Sequence, residues 1–415
     1  MNRQQPSRRL GLVSAIGIGV GSMLGAGVFV VWSPAANAAG TWLPVAVMLA
    51  AGIAVINALS TAHLAALHPV AGGAYAYGTR ELRAPWGFIA GAGFVTGKTA
   101  SLAAMSLAIG SYAWRDHAQW VATAVLVAAF ALNALGVNRT AAVTTVAAVV
   151  VSVGLLAIAG ASISSPAAPS AAVADVGVAG VAEAAALIFF AFAGYARLAT
   201  LGEEVRDPQR VIPRAVAWSV GIVIVIYVVL ALVVLRRPGA VVLADADAPL
   251  AQAAPEGAPW PQIVVLLAIA AAGGALVALL AGVGRTAMAM ARESDVPRVF
   301  VRSTTRGVPV IAEGVAASAA IALVWIGNIG FAIAMSSAAI LTYYAVANAA
   351  AMAARRRGAR MPMPRILSAL GVALCIALAV SVDPRALASA GAFMIITVLV
   401  RALIRRRGDR PRAGS

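Results

Sequence analysis

The chain has 415 residues, of which 62% are hydrophobic and 11% are charged, and its mean hydropathy is +0.91. Soluble domains carry about 25% charged residues, so this composition excludes an ordinary soluble fold and indicates a membrane protein. The net charge of +16 does not indicate a nucleic-acid-binding protein, because the arginines form short clusters between apolar runs and not one basic face.

Twelve apolar runs predict membrane-spanning helices. They are rich in Ala, Val, Leu, Ile and Gly, and they lack the alternation at every second residue that barrel strands show. The predicted spans are residues 10–32, 42–66, 86–113, 117–137, 140–163, 181–203, 214–235, 259–284, 308–327, 329–352, 366–382 and 386–403. The predicted fold class is therefore all-α, with a single transmembrane domain over residues 1–415.

The positions of the basic residues orient these spans, because cytoplasmic loops carry an excess of Lys and Arg. With the N-terminus inside, 4 of the 31 basic residues fall in outer segments and 2 fall within spans, which leaves 25 on the inner side. The outer residues are Arg115, Arg236, Arg237 and Arg385, and those within spans are Lys98 and Arg197. We therefore expect a multi-pass protein of the inner (cytoplasmic) membrane with both termini in the cytoplasm.

The first span contains the glycine-rich sequence GIGVGSMLGAGVFV. Its glycines are Gly17, Gly19, Gly21, Gly25 and Gly27. Each glycine inside a helix costs about 1 kcal/mol relative to alanine. Two interpretations remain open: small residues let neighbouring helices approach closely, or the backbone unwinds at residues 25–27. Unwound backbone at membrane depth is tolerated only where it lines a cavity or binds a ligand.

The sixth span repeats this feature in the sequence LIFFAFAGYARLATLGEE, where Gly194 lies within an aromatic cluster. Two interrupted helices at corresponding positions of two halves are typical of the binding site of a secondary transporter. The first and sixth spans are five spans apart. Two repeats of five helices would cross the membrane in opposite orientations, because five is an odd number. Exposed helix N-termini then attract an anionic group and exposed carbonyls attract a cation, so a zwitterion fits both.

Four segments together resemble the amino acid–polyamine–organocation (APC) superfamily of permeases. GIGVGSMLGAGVF resembles the motif of its first helix, and FFAFAGYARLATLGEEVRDPQRVIPRA resembles the sixth helix and the loop that follows. PVAGGAYAYGTREL resembles its loop after helix 2, and GVGRTAMAMARESDVPRVF its segment between helices 8 and 9. The resemblance covers about residues 10–310. It implies discontinuous helices 1 and 6 in a five-plus-five inverted repeat, residues 10–163 and 181–352, followed by two additional helices at 366–403.

The resemblance also implies a substrate site. Its residues are Met23, Gly25, Ala26, Gly27, Phe190, Phe192, Ala193, Gly194 and Tyr195. The amides of residues 25–27 would receive a carboxylate, the carbonyls of Met23, Phe190 and Ala193 would receive an ammonium group, and the aromatic side chains would form gates or pocket walls. Members that carry basic substrates often have a glutamate shortly after the sixth-helix glycine. This chain has Tyr-Ala-Arg there, which argues against a basic substrate.

Lys98 is the only lysine of the chain and lies in the sequence AGFVTGKT. The Gly-Lys-Thr ending is similar to a phosphate-binding loop, but such a loop follows a strand and opens a soluble helix, whereas this sequence lies within an apolar span. We therefore expect no nucleotide. The lysine lies about 20 Å from each end of its span, which is too deep for its stem to reach water, so we expect it to face the protein interior.

Three roles for Lys98 remain open. Desolvation favours the neutral amine, so Lys98 could exchange a proton and supply, when protonated, the positive charge that sodium supplies in relatives. Alternatively, it is permanently charged and caps the carbonyls of a broken helix, or it contacts the substrate directly. Some proton-coupled relatives place a lysine in helix 5, and the fifth span has none.

Three further charged groups lie near span ends. Arg197 follows Gly194 by three residues, and it either lines the inner vestibule or pairs with Glu203 or Glu204. Glu183 and Glu313 lie near the ends of the sixth and ninth spans, where we expect them at the membrane interface.

The predicted function is secondary active transport of a small neutral or hydrophobic L-amino acid by alternating access, with proton coupling or exchange. The alternatives are a cationic amino acid or polyamine exchanger, and a membrane sensor that binds an amino acid without moving it. The sequence holds no arrangement of nucleophile, base and acid and no set of metal ligands, and its one cysteine excludes an intrachain disulfide. We therefore expect no enzymatic activity, metal or cofactor.

Overall fold

The computed structural model of the chain describes residues 10–69, 72–136, 141–167, 176–199, 204–257, 259–359 and 363–408. These residues form α-helices joined by short 3-10 turns and loops. Within them the only β-type pairing is a one-residue parallel bridge between Leu10 and Val205. Glu203, a predicted partner of Arg197, lies outside this part of the chain, and so do the inner-side basic residues Arg3, Arg8, Arg9, Arg139, Arg360, Arg410 and Arg412.

The helices follow the predicted spans closely. The first eight are α1 (Leu12–Met23), α2 (Gly27–Val30), α3 (Trp32–Ala39), α4 (Leu43–Leu67), α5 (Ala74–Glu81), α6 (Ala84–Ala113), α7 (Ala118–Ala134) and α8 (Ala141–Ile163). The next eight are α9 (Val178–Phe192), α10 (Ala196–Ala199), α11 (Pro208–Arg236), α12 (Gly239–Ala244), α13 (Pro249–Ala253), α14 (Trp260–Arg292), α15 (Val310–Ile326) and α16 (Ile329–Arg356). The last two are α17 (Arg365–Ser381) and α18 (Pro384–Gly408).

Ten segments of the described chain are long and apolar enough to cross a membrane. The apolar helices α15 and α17 are shorter, with 17 residues each. Together these segments overlap all twelve predicted spans, so the all-helical fold and the positions of the apolar helices agree with the sequence. The pairing of the helices as a five-plus-five inverted repeat stays a prediction.

The helix α6 lies at the centre of the fold, where it packs against α5, α7, α14 and α16. Glycines allow its close approach to α16. A Cβ atom at Gly93 would lie 2.8 Å from the carbonyl oxygen of Ala339, and one at Gly97 would lie 3.0 Å from that of Ser336. Small residues at a helix interface let two backbones come together in this way. The packing encloses Lys98, which is next in sequence to Gly97 and is buried.

Candidate functional site

The first span is interrupted at residues 24–26, between the end of α1 and the start of α2. The amide of Leu24 still bonds to the carbonyl of Val20 at 2.8 Å, which closes α1. In the described part of the chain, the amides of Gly25 and Ala26 donate no main-chain hydrogen bond. The amides of Gly27 and Val28 also lack intrahelical partners, as at every helix start, whereas the amide of Phe29 bonds to the carbonyl of Ala26 at 2.9 Å. Because this stretch is buried, the interruption presents hydrogen-bond donors inside the protein.

The sixth span is interrupted at a 3-10 turn, Ala193–Tyr195, between α9 and α10. The carbonyl of Ala193 points away from the regular helix ladder. It accepts hydrogen bonds from the Lys98 ammonium group at 3.4 Å and from the hydroxyl of Tyr344 at 3.3 Å. The carbonyl of Phe190 accepts from the amide of Ala193. The second interruption therefore presents acceptors, as the first presents donors.

The two interruptions pack directly against each other through glycine. A Cβ atom at Gly194 would overlap the carbonyl oxygen of Ser22 and would lie 2.6 Å from the amide nitrogen of Met23. A Cβ atom at Gly27 would lie 2.7 Å from the Cα atom of Ala191. No side chain larger than hydrogen fits at either position without a backbone shift. The structure thus brings together the residues that the sequence predicted as one site.

Tyrosine hydroxyl groups cover the carbonyls at both interruptions, and the sequence did not predict these residues. The hydroxyl of Tyr227, on α11, donates to the carbonyls of Met23 at 2.8 Å and Ala191 at 3.2 Å. Tyr344, on α16, bonds to Ala193 as described above. A tyrosine within an apolar span needs a partner for its hydroxyl group. That requirement is a signal in the sequence, but it does not identify the partner.

The three predicted aromatic side chains occupy different positions. Phe190 lies against Gly27, with its Cδ1 atom 3.4 Å from the position of an added Cβ. The ring of Phe192 packs against Tyr227 with centroids 4.8 Å apart, and the ring of Tyr195 packs against Tyr344 at 5.1 Å. Of these three, Phe190 packs against the first interruption, whereas Phe192 and Tyr195 pack against the two tyrosines that donate to the carbonyls.

The opposite wall of the site comes from α6 and α14. A Cβ atom at Gly25 would lie 2.8 Å from the Cβ atom of Ala275, on α14, and 3.8 Å from the terminal methyl of Met105, on α6. Apart from Gly194, which is partly exposed, all the predicted site residues are buried. The site is therefore enclosed in this conformation.

The structure gives the surroundings of two charged residues that the sequence analysis singled out, Arg197 and Glu313. The charged neighbours of Arg197 are Glu204 and Arg285, the latter on α14. Glu313 is buried within the protein, with 1% of its surface exposed, and its position at the membrane interface stays a prediction. The first turn of α15 packs onto Gly284 of α14, where an added Cβ would lie 2.5 Å from the Cγ atom of Glu313. Sequence position near a helix end could not reveal this packing.

An all-helical architecture with two interrupted spans that meet in the interior defines a multi-pass membrane transporter. Within the described residues, no group of three or more His, Cys, Asp and Glu side chains is placed to hold a metal ion. The chain belongs to the amino acid permease family of the APC superfamily, because the family model described as amino acid permease matches residues 10–404. It is a transporter of the amino acid permease type and not an enzyme.

Three relatives illustrate this membership. The chain is 43% identical over 422 residues to the uncharacterized transporter Rv1999c of Mycobacterium tuberculosis, with 98% of this chain and 96% of the relative covered. It is 29% identical to cationic amino acid transporter 9, chloroplastic, of Arabidopsis thaliana, covering 71% of this chain and 57% of the relative. It is 24% identical to the branched-chain amino acid permease BcaP of Bacillus subtilis, covering 70% and 68%.

Proposed function

We propose that this permease transports a small neutral or hydrophobic L-amino acid across the inner membrane by alternating access around the two interruptions. The amides of Gly25, Ala26 and Gly27 receive the substrate carboxylate. The carbonyls of Met23, Phe190 and Ala193 receive its ammonium group. The observation that carries this proposal is the direct packing of the two interruptions, which sets free donors beside acceptors at a single buried place.

The carbonyls in question already hold partners in the enclosed conformation. Tyr227 donates to Met23, and Lys98 and Tyr344 donate to Ala193. A carbonyl oxygen has two lone pairs, so an ammonium group adds to these bonds or replaces the weaker ones. The contacts of Lys98 at 3.4 Å and Tyr344 at 3.3 Å are both longer than usual hydrogen bonds, so a substrate ammonium group displaces them more easily than the 2.8 Å bond of Tyr227.

The walls favour an uncharged substrate side chain. Met105, Phe190 and Ala275 are apolar, and they surround the start of α2. Lys98 bonds to the carbonyl of Ala193, so a second positive charge on the substrate, besides its ammonium group, adds to the repulsion at this place. The relative BcaP, named as a branched-chain amino acid permease, supports the same substrate class.

A cationic amino acid or polyamine is the second candidate, because one relative is named a cationic amino acid transporter. That substrate requires an acidic partner for its second positive charge. Among the described residues at the interruptions, no Asp or Glu side chain makes a contact with residues 23–27 or 190–195. The neutral class therefore fits this site better.

Lys98 is proposed as the coupling residue. Its ammonium group joins α6 to the interruption at Ala193, so loss or gain of its proton changes a contact between the site and the helix at the centre of the fold. We further propose twelve spans, a five-plus-five inverted repeat and both termini in the cytoplasm. The arrangement of the arginines supports this topology.

A ligand screen followed by a flux measurement tests the function. The purified protein is heated with each amino acid and with common amines, because a ligand that binds the folded state stabilises it by about 2.7 kcal/mol at one hundred times its Kd. We expect neutral L-amino acids to raise Tm and arginine, lysine and polyamines to leave it unchanged. Uptake of the stabilising amino acid into proteoliposomes then separates a transporter from a protein that only binds. Stabilisation by cationic ligands alone would contradict the proposed substrate class.

A further inference from the structure

Glu313 is a buried carboxylic acid that the substrate site does not use. It lies in the first turn of α15, and its side chain is 1% exposed. The side-chain amide of Asn133, on α7, donates to its Oε2 atom at 2.9 Å. The same amide nitrogen donates to the carbonyl of Val277, on α14, at 3.1 Å. Three helices thus meet at this carboxyl group.

The surroundings of Glu313 allow both states of its carboxyl group. A buried carboxylate costs several kcal/mol unless an opposite charge pairs with it. Within the described residues, the bond from Asn133 is the only polar contact of the Glu313 carboxyl group. The amide of Asn133 can donate to a carboxylate oxygen and also to the carbonyl oxygen of a neutral acid, and the bond to the carboxylate is the stronger one. The hydrogen bond therefore persists whether the proton is bound or released.

The charged groups on the elements that pack against Glu313 determine the electrostatic environment of its carboxyl group. From α14 the charged neighbour is Arg285. From α7 only the neutral Asn133 faces it, and α15 holds no other charged residue. The remaining charges on neighbouring elements are Lys98 on α6, Arg292 at the end of α14, Arg298, Arg302 and Arg306 before α15, and Arg355 and Arg356 at the end of α16. Of these, Lys98 bonds to Ala193 and Arg306 to the carbonyl of Leu135.

Arg285 connects Glu313 to the substrate site. It is also a charged neighbour of Arg197, which lies on α10 directly after the second interruption. Glu204 is the third member of this group, and its main-chain carbonyl bonds to the amide of Leu10, just before α1. A change of charge at Glu313 therefore alters the electrostatic interactions of Arg285. The neighbours of Arg285 in turn lie in segments that are continuous with the two interrupted spans.

We propose that Glu313 is a proton-binding site whose protonation is coupled to transport, neutral in one conformation and ionised beside Arg285 in another. This inference rests on the proposed transport function, and it assigns a second protonatable group besides Lys98. The competing explanation is structural, because an acidic side chain in the first turn of a helix is stabilised by the helix dipole. A purely structural acid does not change its protonation with pH in the working range.

Infrared spectroscopy of the protein in liposomes tests proton binding without any substrate. Glu313→Gln keeps the shape and an oxygen acceptor for Asn133, but it cannot titrate. Glu183→Gln is the matched control, because Glu183 is also a carboxylic acid in an apolar span but is only partly buried. The exposed carboxyl groups give the same pH-dependent C=O bands in all three proteins. We expect wild type and Glu183→Gln to show one additional carboxylic C=O band that changes with pH and is missing from Glu313→Gln. A wild-type spectrum that matches that of Glu313→Gln at every pH overturns the proposal.

A second variant guards against misfolding of the first. Asn133→Ala leaves the carboxyl group in place without its donor, so the midpoint of the titration moves by about one pH unit. An unmoved midpoint in a folded Asn133→Ala protein, as judged by its Tm, shows that the titrating group is not Glu313 and also overturns the proposal.

Flux measurements test the coupling. At zero membrane potential, one proton per substrate and a gradient of one pH unit give about tenfold accumulation, the ratio that 1.4 kcal/mol supports. The substrate is the amino acid that raises Tm in the screen. We expect this accumulation in wild type and Glu183→Gln, and its loss in Glu313→Gln with exchange retained. Accumulation in Glu313→Gln overturns the coupling. A wild type that moves no amino acid contradicts the transport function instead, and the infrared titration still decides the proton site.

Discussion

Gly194 packs against the main chain of Ser22, so the interruption of the sixth span touches the interruption of the first. A methyl group at position 194 has no space, because it would overlap a backbone carbonyl that cannot rotate away. We expect Gly194→Ala to lower the free energy of unfolding by about 1–3 kcal/mol, the usual cost of overpacking. We also expect it to reduce the initial rate of transport by about tenfold, the effect of 1.36 kcal/mol on a barrier. Thermal unfolding and proteoliposome flux measure the two effects.

Gly221→Ala is the matched control for this substitution. Gly221 lies inside α11, and an added Cβ there would meet no atom within 4 Å. Alanine in a helix interior is favoured over glycine by about 0.5–1 kcal/mol, so this variant should be as stable as wild type or slightly more stable, with normal flux. Equal behaviour of the two variants would show that the contact between Gly194 and Ser22 is not needed.

The hydroxyl group of Tyr227 connects the two interruptions, because it donates to Met23 and Ala191. Tyr227→Phe leaves these buried carbonyls without that donor, which costs about 1–3 kcal/mol. Since Met23 is a proposed ligand of the substrate ammonium group, we also expect KM for the transported amino acid to change. Tyr343→Phe is the control, because the Tyr343 hydroxyl accepts from the amide of Ala74 and not from the interruptions. It should lose stability and keep its KM.

The two helix interruptions could be predicted from the sequence because glycine leaves a local signature. Gly25, Gly27 and Gly194 lie in spans whose other residues favour a helix. Because glycine destabilises a helix, its presence at these positions indicates a function. The interruptions of the first and sixth spans lie within a few residues of the predicted positions. The positions of the apolar helices were equally predictable, because a run of apolar residues about the thickness of the bilayer is itself the signal.

The partners of the site could not be read from the sequence, because their contacts join distant residues. Tyr227 reaches Met23 over a separation of 204 residues, and Tyr344 reaches Ala193 over 151. Lys98 was expected to face the interior, and its contact with Ala193 is 95 residues away in sequence. The burial of Glu313 could not be read from the sequence for the same reason, since it depends on Gly284 of another helix. Local patterns report which positions are unusual, whereas their partners depend on the tertiary fold.

Substitutions of Lys98 distinguish a role in proton coupling from a role as a fixed structural charge. Lys98→Arg retains a group that stays charged at all pH values of interest, whereas Lys98→Met removes the charge. If the lysine exchanges a proton, we expect both variants to lose the pH dependence of uptake. If the charge only caps the carbonyl of Ala193, Lys98→Arg keeps flux and pH profile, and Lys98→Met loses flux through instability. Initial uptake rates across pH, with Tm of each variant, separate these outcomes. An unchanged profile in Lys98→Met would remove the coupling role.

A buried ion-pair cluster fixes the last helix to the end of α14 and is the centre of the final prediction. Asp295 is 3% exposed, and its Oδ1 atom accepts from Arg401 at 2.7 Å and Arg405 at 3.0 Å, both on α18. The hydroxyl of Tyr75, on α5, donates to its Oδ2 atom at 3.0 Å. Burial, followed by the charge of Asp295, raises the pKa of Tyr75, so the tyrosine remains a donor at physiological pH.

Two further features of this cluster depend on contacts between distant parts of the chain. Ser294, just before Asp295, has φ 58°, a left-handed conformation that costs a residue other than glycine about 1–2 kcal/mol. The guanidinium group of Arg401 also lies 4.4 Å from the ring centroid of Phe88, on α6. The surrounding contacts offset the backbone strain at Ser294, and Arg401 is central to them because it contacts both Asp295 and Phe88.

The exposure of the two arginines predicts a rank order of effects. The side chain of Arg401 is 11% exposed and that of Arg405 is 51% exposed. Removing one partner of a buried pair costs about 3–5 kcal/mol, whereas an exposed pair contributes about 0.2–1 kcal/mol. We therefore expect Arg401→Ala to lower Tm far more than Arg405→Ala, and Asp295→Asn to resemble Arg401→Ala.

The double variant Asp295→Asn with Arg401→Ala should lose less stability than the sum of the two single variants, because the second change removes a charge that the first left unpaired. Equal losses for the two arginines, or additive losses in the double variant, would show that α18 is held by its apolar contacts and not by Asp295.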